Sequence, residues 1–261
     1  MSAIMHVLKN MMLDHSNSQI LYQPESYGAA GGELLVITMI LSWALTYFFN
    51  HDVIESNPLK DRVGYNNLCV GWDTNPAKYV AAPLFAFIIF IESRYCQLDY
   101  WRAHLDISLR PFQRTACAIS NAVGALSWMG AIGIFSINPM ESATGHIASF
   151  VQLCIGMYIC FACNFIETDV KYHPRGSWVF LGFFTVITIG FGICAMLQAL
   201  LYDAENNVMG PVPWQVMCSL DYAYFACMAL QGPFRPAAPS LTADYKLVSD
   251  DDFTVTTDPE S

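Results

Sequence analysis

The stretch WVFLGFFTVITIGFGICAMLQALLY, residues Trp178 to Tyr202, decides the fold of this chain. It contains no charged residue and is long enough to cross a hydrocarbon core of about 30 Å as an α-helix. A strand of a membrane β-barrel would instead show about ten residues of alternating polarity. The stretch is a continuous apolar run, so it predicts a membrane-spanning helix.

The rest of the chain repeats this pattern. Of its 261 residues 54% are hydrophobic and 13% are charged, whereas a soluble domain carries about 25% charged residues. Five further apolar runs cover Glu33 to Asn50, Tyr79 to Tyr95, about 115–137, about 145–166 and Val212 to Gly232. The sequence therefore predicts an all-α polytopic membrane protein, a bundle of six transmembrane helices.

These runs divide the chain into three parts. Residues 1–32 are predicted to be an N-terminal segment, with a polar, glycine-rich lead-in before the first span. Residues 33–232 form the predicted six-helix domain. Residues 233–261 are polar and acidic, a composition typical of a disordered tail.

The orientation follows from the positive charges. With six spans, Lys60, Arg62 and Lys78 fall on one side of the membrane, and the other nine of the 12 Lys and Arg residues fall on the opposite side. Loops rich in Lys and Arg face the cytosol. Both termini are therefore predicted to be cytosolic.

The arginines between the second and third runs can act in two ways. They can simply fix the topology, or they can contact anionic lipid headgroups, with membrane lipids as partners. This set consists of Arg94, Arg102, Arg110 and Arg114.

Several function classes are excluded or disfavoured. A net charge of −10 argues against nucleic acid as a partner, because nucleic-acid binding needs a basic surface. The chain has no GxSxG or GxxxxGK[ST] motif and no lysine in a span that could carry retinal. Cys160 and Cys163 form a CxxC motif, which we interpret as small residues at helix contacts rather than a zinc or redox site. No metal and no cofactor is predicted.

Asp221 marks a candidate intramembrane polar site, since it interrupts the apolar run CSLDYAYFACMAL. An aspartate at the centre of a spanning helix costs about 2.5–3.5 kcal/mol on insertion scales. It is either a hydrogen-bonding anchor between helices or the ionisable group of a transport pathway. Asn121 and Gln152, which are also in predicted spans, are the expected partners.

A second candidate site lies at the lumenal edge. His51 follows the first span, His146 begins the fourth, and Asp73 lies in the loop between the first two spans. A metal-dependent lipid hydrolase would need such a layer of histidine and acidic ligands. However, no HxxxH or HExxH pair fixes two ligands on one helix.

The tail carries a candidate sorting signal. Tyr245 is followed by two free positions and the aliphatic Val248, a pattern similar to the signals that clathrin adaptors read. An acidic cluster follows, formed by Asp250, Asp251 and Asp252. The pattern predicts a clathrin adaptor as a partner of the tail.

Four stretches resemble the Frag1/DRAM/Sfk1 family of six-span, damage-regulated autophagy modulator-like proteins. They are WDTNPAKY from Trp72 to Tyr79, ESRY from Glu92 to Tyr95, the run from Asn121 to Leu153 with His146, and SLDYAYF from Ser219 to Phe225. Asn75 stands where the family usually has glycine, and Asp221 where glutamate is more common.

The resemblance implies a non-catalytic membrane protein, and it carries over no catalytic residue. The expected function is to modulate lysosomal or autophagic membranes through lipid and protein contacts. The expected location is the lysosome or endosome, with Golgi and plasma membrane as alternatives. Two other functions stay open: a lumenal factor that remodels the lipid of GPI anchors, and a small-solute or proton-coupled transporter that uses Asp221.

Overall fold

The computed structural model is a bundle of long helices and describes residues 2–11, 19–57, 60–61, 64–106, 108–137, 142–201, 214–236 and 241–244. Its helices are α1 (Ala3–Met11), α2 (Pro24–Phe49), α3 (His51–Glu55), α4 (Ala77–Leu105), α5 (Pro111–Gly130), α6 (Gly133–Ser136), α7 (Ala143–Glu167), α8 (Ser177–Leu201) and α9 (Trp214–Leu230). Two short strands, β1 (Gln19–Tyr22) and β2 (Leu241–Asp244), pair in antiparallel register.

Within these described residues, five helical segments are long and apolar enough to cross a membrane. They are Pro24–Phe49, Ala77–Leu105, Pro111–Ser136, Gly145–Glu167 and Ser177–Leu197. Their outward faces carry exposed apolar side chains such as Ile40, Leu126 and Val186. Exposed apolar faces on this scale fit a hydrocarbon solvent, so the prediction of a multi-pass helical bundle is confirmed at this level.

The sixth predicted span corresponds to α9, which has 17 residues. At a rise of 1.5 Å per residue it is about 25 Å long, which is slightly shorter than a hydrocarbon core. It packs against α8 and α2, and so it belongs to the bundle.

Neighbouring helices in the chain are neighbours in space. Helix α2 packs on α4, α4 on α5, α5 on α7, α7 on α8 and α8 on α9. Small residues bring α5 and α7 especially close: a Cβ atom added at Gly156 would lie 2.7 Å from Ser127 Cβ. Close approach at small residues is how helices associate in a membrane, where apolar burial against lipid gives little driving force.

Helix α2 begins at Pro24, nine residues before the predicted start of the first span at Glu33. The glycines that favoured a loop are instead contact positions inside the helix. A Cβ atom at Gly31 would lie 2.1 Å from Glu92 Oε1, and one at Gly28 would lie 3.2 Å from Arg235 Nη1. The lead-in predicted before residue 33 is therefore helical from residue 24.

Helix α4 is also longer than the predicted span. The span was predicted to end at Tyr95, and the helix continues to Leu105. The extension carries Asp99 and Arg102, both of which are buried. Arg102 therefore does not lie in an exposed loop that contacts lipid headgroups.

The terminal segments contact the bundle. Helix α1 packs on α2 and buries Val7. Within the tail predicted to be disordered, Gly232–Phe234 forms a 3-10 turn and β2 pairs with β1.

The loop between α3 and α4 folds back onto α9. A 3-10 turn, Leu68–Gly71, buries Leu68 and Val70, and Trp72 follows it into the core. Tyr65 Oη lies 2.9 Å from Ser219 Oγ, and Tyr222 Oη donates to Asn66 O at 2.5 Å. The loop thereby covers the first half of α9.

Candidate functional site

A groove runs between α2 and α9. Its cavity has a volume of about 590 Å³. We call it the α2/α9 groove, and it is lined by Ser2, Ile4, Gly28, Ala29, Gly32, Glu33, Val36, Ile37, Met228, Ala229, Gln231, Gly232 and Pro233. Val36 and Ile37 are exposed on the outer surface, so the groove is accessible from the lipid side of the bundle.

A smaller cavity of about 220 Å³ adjoins the groove and shares Gly28, Ala29, Gln231 and Gly232 with it. Arg235 lines this cavity and is buried. The two cavities meet at these shared residues, and the smaller one is lined by both Arg235 and the acidic Glu25.

Arg235 has an unusual environment for a buried charge. Its Nη2 donates to Gln231 Oε1 at 2.8 Å, while Arg235 Nη1 and Gln231 Nε2 are buried without a hydrogen-bond partner among the described residues. Its guanidinium lies 4.8 Å from the ring centre of Tyr95. Among the described residues, no carboxylate oxygen lies within 4.0 Å of it. The carboxylates of Glu92 and Glu25 interact with Arg235 electrostatically at longer range. Because buried charges are normally paired by direct contact, Arg235 keeps capacity to bind an anion.

The acidic residue of the groove is already satisfied. Glu33 accepts hydrogen bonds from the backbone of Ala3 at 3.2 Å and of Ile4 at 3.3 Å. These N–H groups begin α1, where the helix dipole favours a negative charge. Glu33 therefore anchors α1 along the groove. A second acidic side chain, Glu25, lines the smaller cavity beside Arg235 and is paired with Arg102.

A second polar site lies at the same end of the bundle. Arg102 pairs with three carboxylates: Glu25 of α2, Asp99 of its own helix and Glu167 of α7, the last at 2.6 Å. Asp99 also accepts a hydrogen bond from Asn121 Nδ2 at 2.8 Å. This cluster ties four helices together.

Asp221 is buried, and its Oδ2 accepts a hydrogen bond from Asn67 Nδ2 at 3.0 Å. Asn67 belongs to the loop between α3 and α4, so the contact joins that loop to α9. Asp221 Oδ1 is buried, and no described residue gives it a hydrogen bond.

The predicted partners of Asp221 are wrong. Asn121 bonds to Asp99 instead, and Gln152 lies over Gly130, where an added Cβ atom would be 1.4 Å from Gln152 Oε1. Gln152 is also exposed. The structure does not bring the three residues of the predicted intramembrane site together.

The predicted lumenal-edge residues make separate contacts. His51 Nε2 lies 3.8 Å from Glu55 Oε1, and His146 Nδ1 lies 3.1 Å from Ile137 O. In the described part of the chain, the metal-ligating side chains that lie close enough together to hold an ion do not include His51, His146 or Asp73.

Asp73 is partly removed from water by the surrounding loop. This removal raises the pKa of Asp73 to about 6, and the positive charge of Lys78 opposes the rise. By surface area, however, the residue is exposed to solvent. Water screens the charge of an exposed group, so the raised pKa of Asp73 does not translate into a contribution to the free energy of unfolding.

The two cysteines of the CxxC motif contact different groups. Cys160 Sγ lies 3.4 Å from Cys96 Sγ, whereas Cys163 Sγ accepts a hydrogen bond from Ser120 at 2.6 Å. The motif is therefore not a dithiol pair. The sorting residues Tyr245, Val248, Asp250, Asp251 and Asp252 lie outside the described residues.

Sequence reasoning did not select Arg235 or Glu25. Both lie just outside the predicted spans, where charged residues normally face water. The available signal was Pro24 followed by Glu25, a proline and an acid typical of a first helical turn.

No protein-family model, curated protein or solved structure matches the chain. Its class therefore follows from its own architecture. Five helices that can cross a membrane, with buried ionic contacts between them, define a multi-pass helical membrane protein.

Proposed function

We propose that this protein is a non-catalytic membrane protein with six spans and cytosolic termini, which binds an anionic phospholipid in the α2/α9 groove. The acyl chain lies along Gly32, Val36 and Met228. The phosphate binds Arg235 and Gln231. In this way the protein modulates the membrane in which it lies through lipid contact.

The observation that carries the proposal is the buried Arg235, which has no carboxylate oxygen within 4.0 Å among the described residues and lines the smaller cavity at the end of the α2/α9 groove. A phosphate oxygen would accept a hydrogen bond from the free Nη1, and guanidinium groups bind phosphates well. Gln231 Nε2 offers a second donor beside it.

The dimensions and orientation agree with a lipid of the cytosolic leaflet. Helix α2 advances about 20 Å from Pro24 to Ile37, and one leaflet of the core is about 15 Å thick. Under the proposed topology Arg235 lies at the cytosolic side, where anionic lipids are enriched.

The cellular role rests on the family resemblance. We propose a lysosomal or endosomal location and a role in autophagic membrane function, with a clathrin adaptor bound to the tail. A tagged chain should localise to these compartments, and Tyr245→Ala should move it to the cell surface. An unchanged location of the variant would reject the sorting signal.

The lipid site is tested by blocking the groove with Gly32→Leu. An added Cβ atom at Gly32 meets nothing closer than Met228 O at 3.8 Å, so the larger side chain fits by occupying the groove. Anionic phospholipid that co-purifies with the protein in mild detergent should fall at least tenfold, measured by native mass spectrometry.

The matched control is Gly182→Leu. Gly182 lies on the exposed face of α8, with no atom within 4 Å of an added Cβ atom. This control should retain its bound lipid. Equal lipid retention by Gly32→Leu and Gly182→Leu would reject the groove as the lipid site.

A second candidate function is proton- or cation-coupled transport through Asp221. It is favoured by the buried Oδ1 atom that has no hydrogen-bond partner. If it is correct, Asp221→Asn abolishes a pH-dependent flux in proteoliposomes while the protein stays folded. Absence of any flux in the wild type would remove this candidate.

The lumenal alternative has its own test. A factor that remodels GPI anchors through His146 should lose this activity in His146→Ala. Unchanged lipid composition of GPI-anchored proteins in cells expressing the variant would reject this role.

A further inference from the structure

Three metal-ligating side chains converge where α5 meets the end of α7. One ligand atom each from Cys117, Cys163 and Glu167 lies within 4.8 Å of the others, and all three residues are buried. Cys163 and Glu167 are four residues apart on α7, which places them on one face of the helix. Cys117 approaches them from α5.

Glu167 is oriented towards this set. Its Oε2 is held by Arg102 at 2.6 Å, while Oε1 is buried without a hydrogen bond of standard geometry to any described residue. The carboxyl group also interacts with the Cys163 thiol, a weak donor. A carboxylate fixed through one oxygen and in contact with a thiol through its side chain is arranged as a monodentate ligand.

Polar groups also surround both sulfur atoms. Ser120 Oγ lies 2.6 Å from Cys163 Sγ, and Asn121 Nδ2 lies 3.1 Å from Cys117 Sγ. Donors to sulfur stabilise thiolates and orient metal ligands. The Cys117 thiol lies 3.5 Å from Asp99 Oδ2, to which it donates.

From this geometry we propose that Cys117, Cys163 and Glu167 form a Zn²⁺ site that fastens α5 to α7. Two thiolates and a carboxylate are ligands that zinc accepts, and tetrahedral zinc places sulfur atoms about 3.8 Å apart. The ion displaces the protons of the two thiols, which pass to the solvent. Under the proposed topology the site is at the cytosolic end, where cysteines stay reduced.

The local charge also favours a cation. Glu25, Asp99 and Glu167 surround the single guanidinium of Arg102. Their excess negative charge attracts a divalent ion. The charge of the ion offsets the cost of forming thiolates beside carboxylates.

The test is metal binding to the full-length protein in detergent. After incubation with ZnCl₂ and removal of excess ion, we expect about one Zn²⁺ per chain by elemental mass spectrometry. Co²⁺ in its place should give the thiolate-to-cobalt charge-transfer band. The double variant Cys117→Ser, Cys163→Ser should lose both signals, and Ser120→Ala should weaken binding by about 10–100-fold.

The matched control is the double variant Cys96→Ser, Cys160→Ser, which alters the neighbouring thiol pair on α4 and α7. It should bind Zn²⁺ and Co²⁺ as the wild type does. Zinc at background level in the wild type would overturn the proposal, as would a cobalt band that survives the loss of Cys117 and Cys163.

A measurement on the wild type alone covers the case in which the variants do not fold. Zn²⁺ should slow alkylation of Cys117 and Cys163 by N-ethylmaleimide, mapped by mass spectrometry. Alkylation of Cys69 and Cys194, which are partly exposed, should not change. Equal effects of Zn²⁺ on all four cysteines would reject the site.

Discussion

At the residue scale, Arg102 holds one end of the bundle together through three carboxylates. Arg102→Met would leave Asp99 and Glu167 buried without this partner. Removing one member of a buried ionic set costs about 3–5 kcal/mol. We expect a clear drop in the thermal unfolding midpoint in detergent, measured by scanning fluorimetry.

Lys171→Met is the control for this variant. Lys171 pairs with Asp169 at 3.4 Å on the surface, where both side chains are exposed. Solvent screens such a pair, so the midpoint should barely change. Comparable losses in the two variants would contradict the structural role of Arg102.

The contact between Asn67 and Asp221 makes a second prediction at this scale. In a double-mutant cycle, Asn67→Ala and Asp221→Ala should couple by about 0.5–3 kcal/mol in unfolding free energy, because they share a buried hydrogen bond. Asn121→Ala combined with Asp221→Ala should be additive. The reverse pattern would mean that Asn121 is the partner after all.

The sequence marks Asp221 as an exceptional residue but does not identify its partner. An aspartate in an apolar run stands out from composition alone. Asn67 comes from a loop that folds back over α9, and this long-range path is not encoded in local spacing. Arg102 was missed for the same reason, since its burial depends on three other helices.

At the scale of elements, the contact between α5 and α7 depends on small residues. In Gly156→Leu, the new side chain would meet Ser127 Cβ, 2.7 Å from the position of an added Cβ atom. Overpacking of this kind costs about 1–3 kcal/mol. We expect a lower unfolding midpoint, and also weaker Zn²⁺ binding because the site bridges the same two helices.

Gly192→Leu is the matched control, since an added Cβ atom at Gly192 meets nothing within 4 Å. It should unfold at the wild-type temperature. If Gly156→Leu were equally stable, the close packing of α5 on α7 would be in error.

Helix positions were predictable from apolar runs, but helix ends were not. The first span was predicted to begin at Glu33 because glycines precede it, yet α2 begins at Pro24. Gly28 and Gly31 are there because Arg235 and Glu92 pack against the helix. A glycine required by a neighbouring helix looks in sequence like a glycine required by a turn.

At the scale of the whole molecule, the proposed topology requires α9 to cross the membrane. An Asn-x-Thr glycosylation site inserted between residues 202 and 213 should be modified, because this segment would face the lumen. The same site inserted after residue 236 should stay unmodified. Modification at neither position would mean that α9 does not separate the two sides as proposed.

The helical class and the multi-pass pattern follow from composition and hydropathy, which reflect the solvent around the chain. The groove could not be predicted from composition and hydropathy, because it arises where α2, α9 and α1 meet. Its cationic group, Arg235, follows the last helix and folds back under it. Such convergence requires the three-dimensional structure.

The lipid groove is tested most directly by photolabelling. An anionic phospholipid with a diazirine in its acyl chain, reconstituted with the full-length protein and irradiated, should label the segments around residues 32–37 and 228–229. Arg235→Gln should reduce this labelling at least tenfold, and Arg175→Gln should not. Labelling spread evenly over the exposed faces of the bundle, and unchanged by Arg235→Gln, would contradict the account.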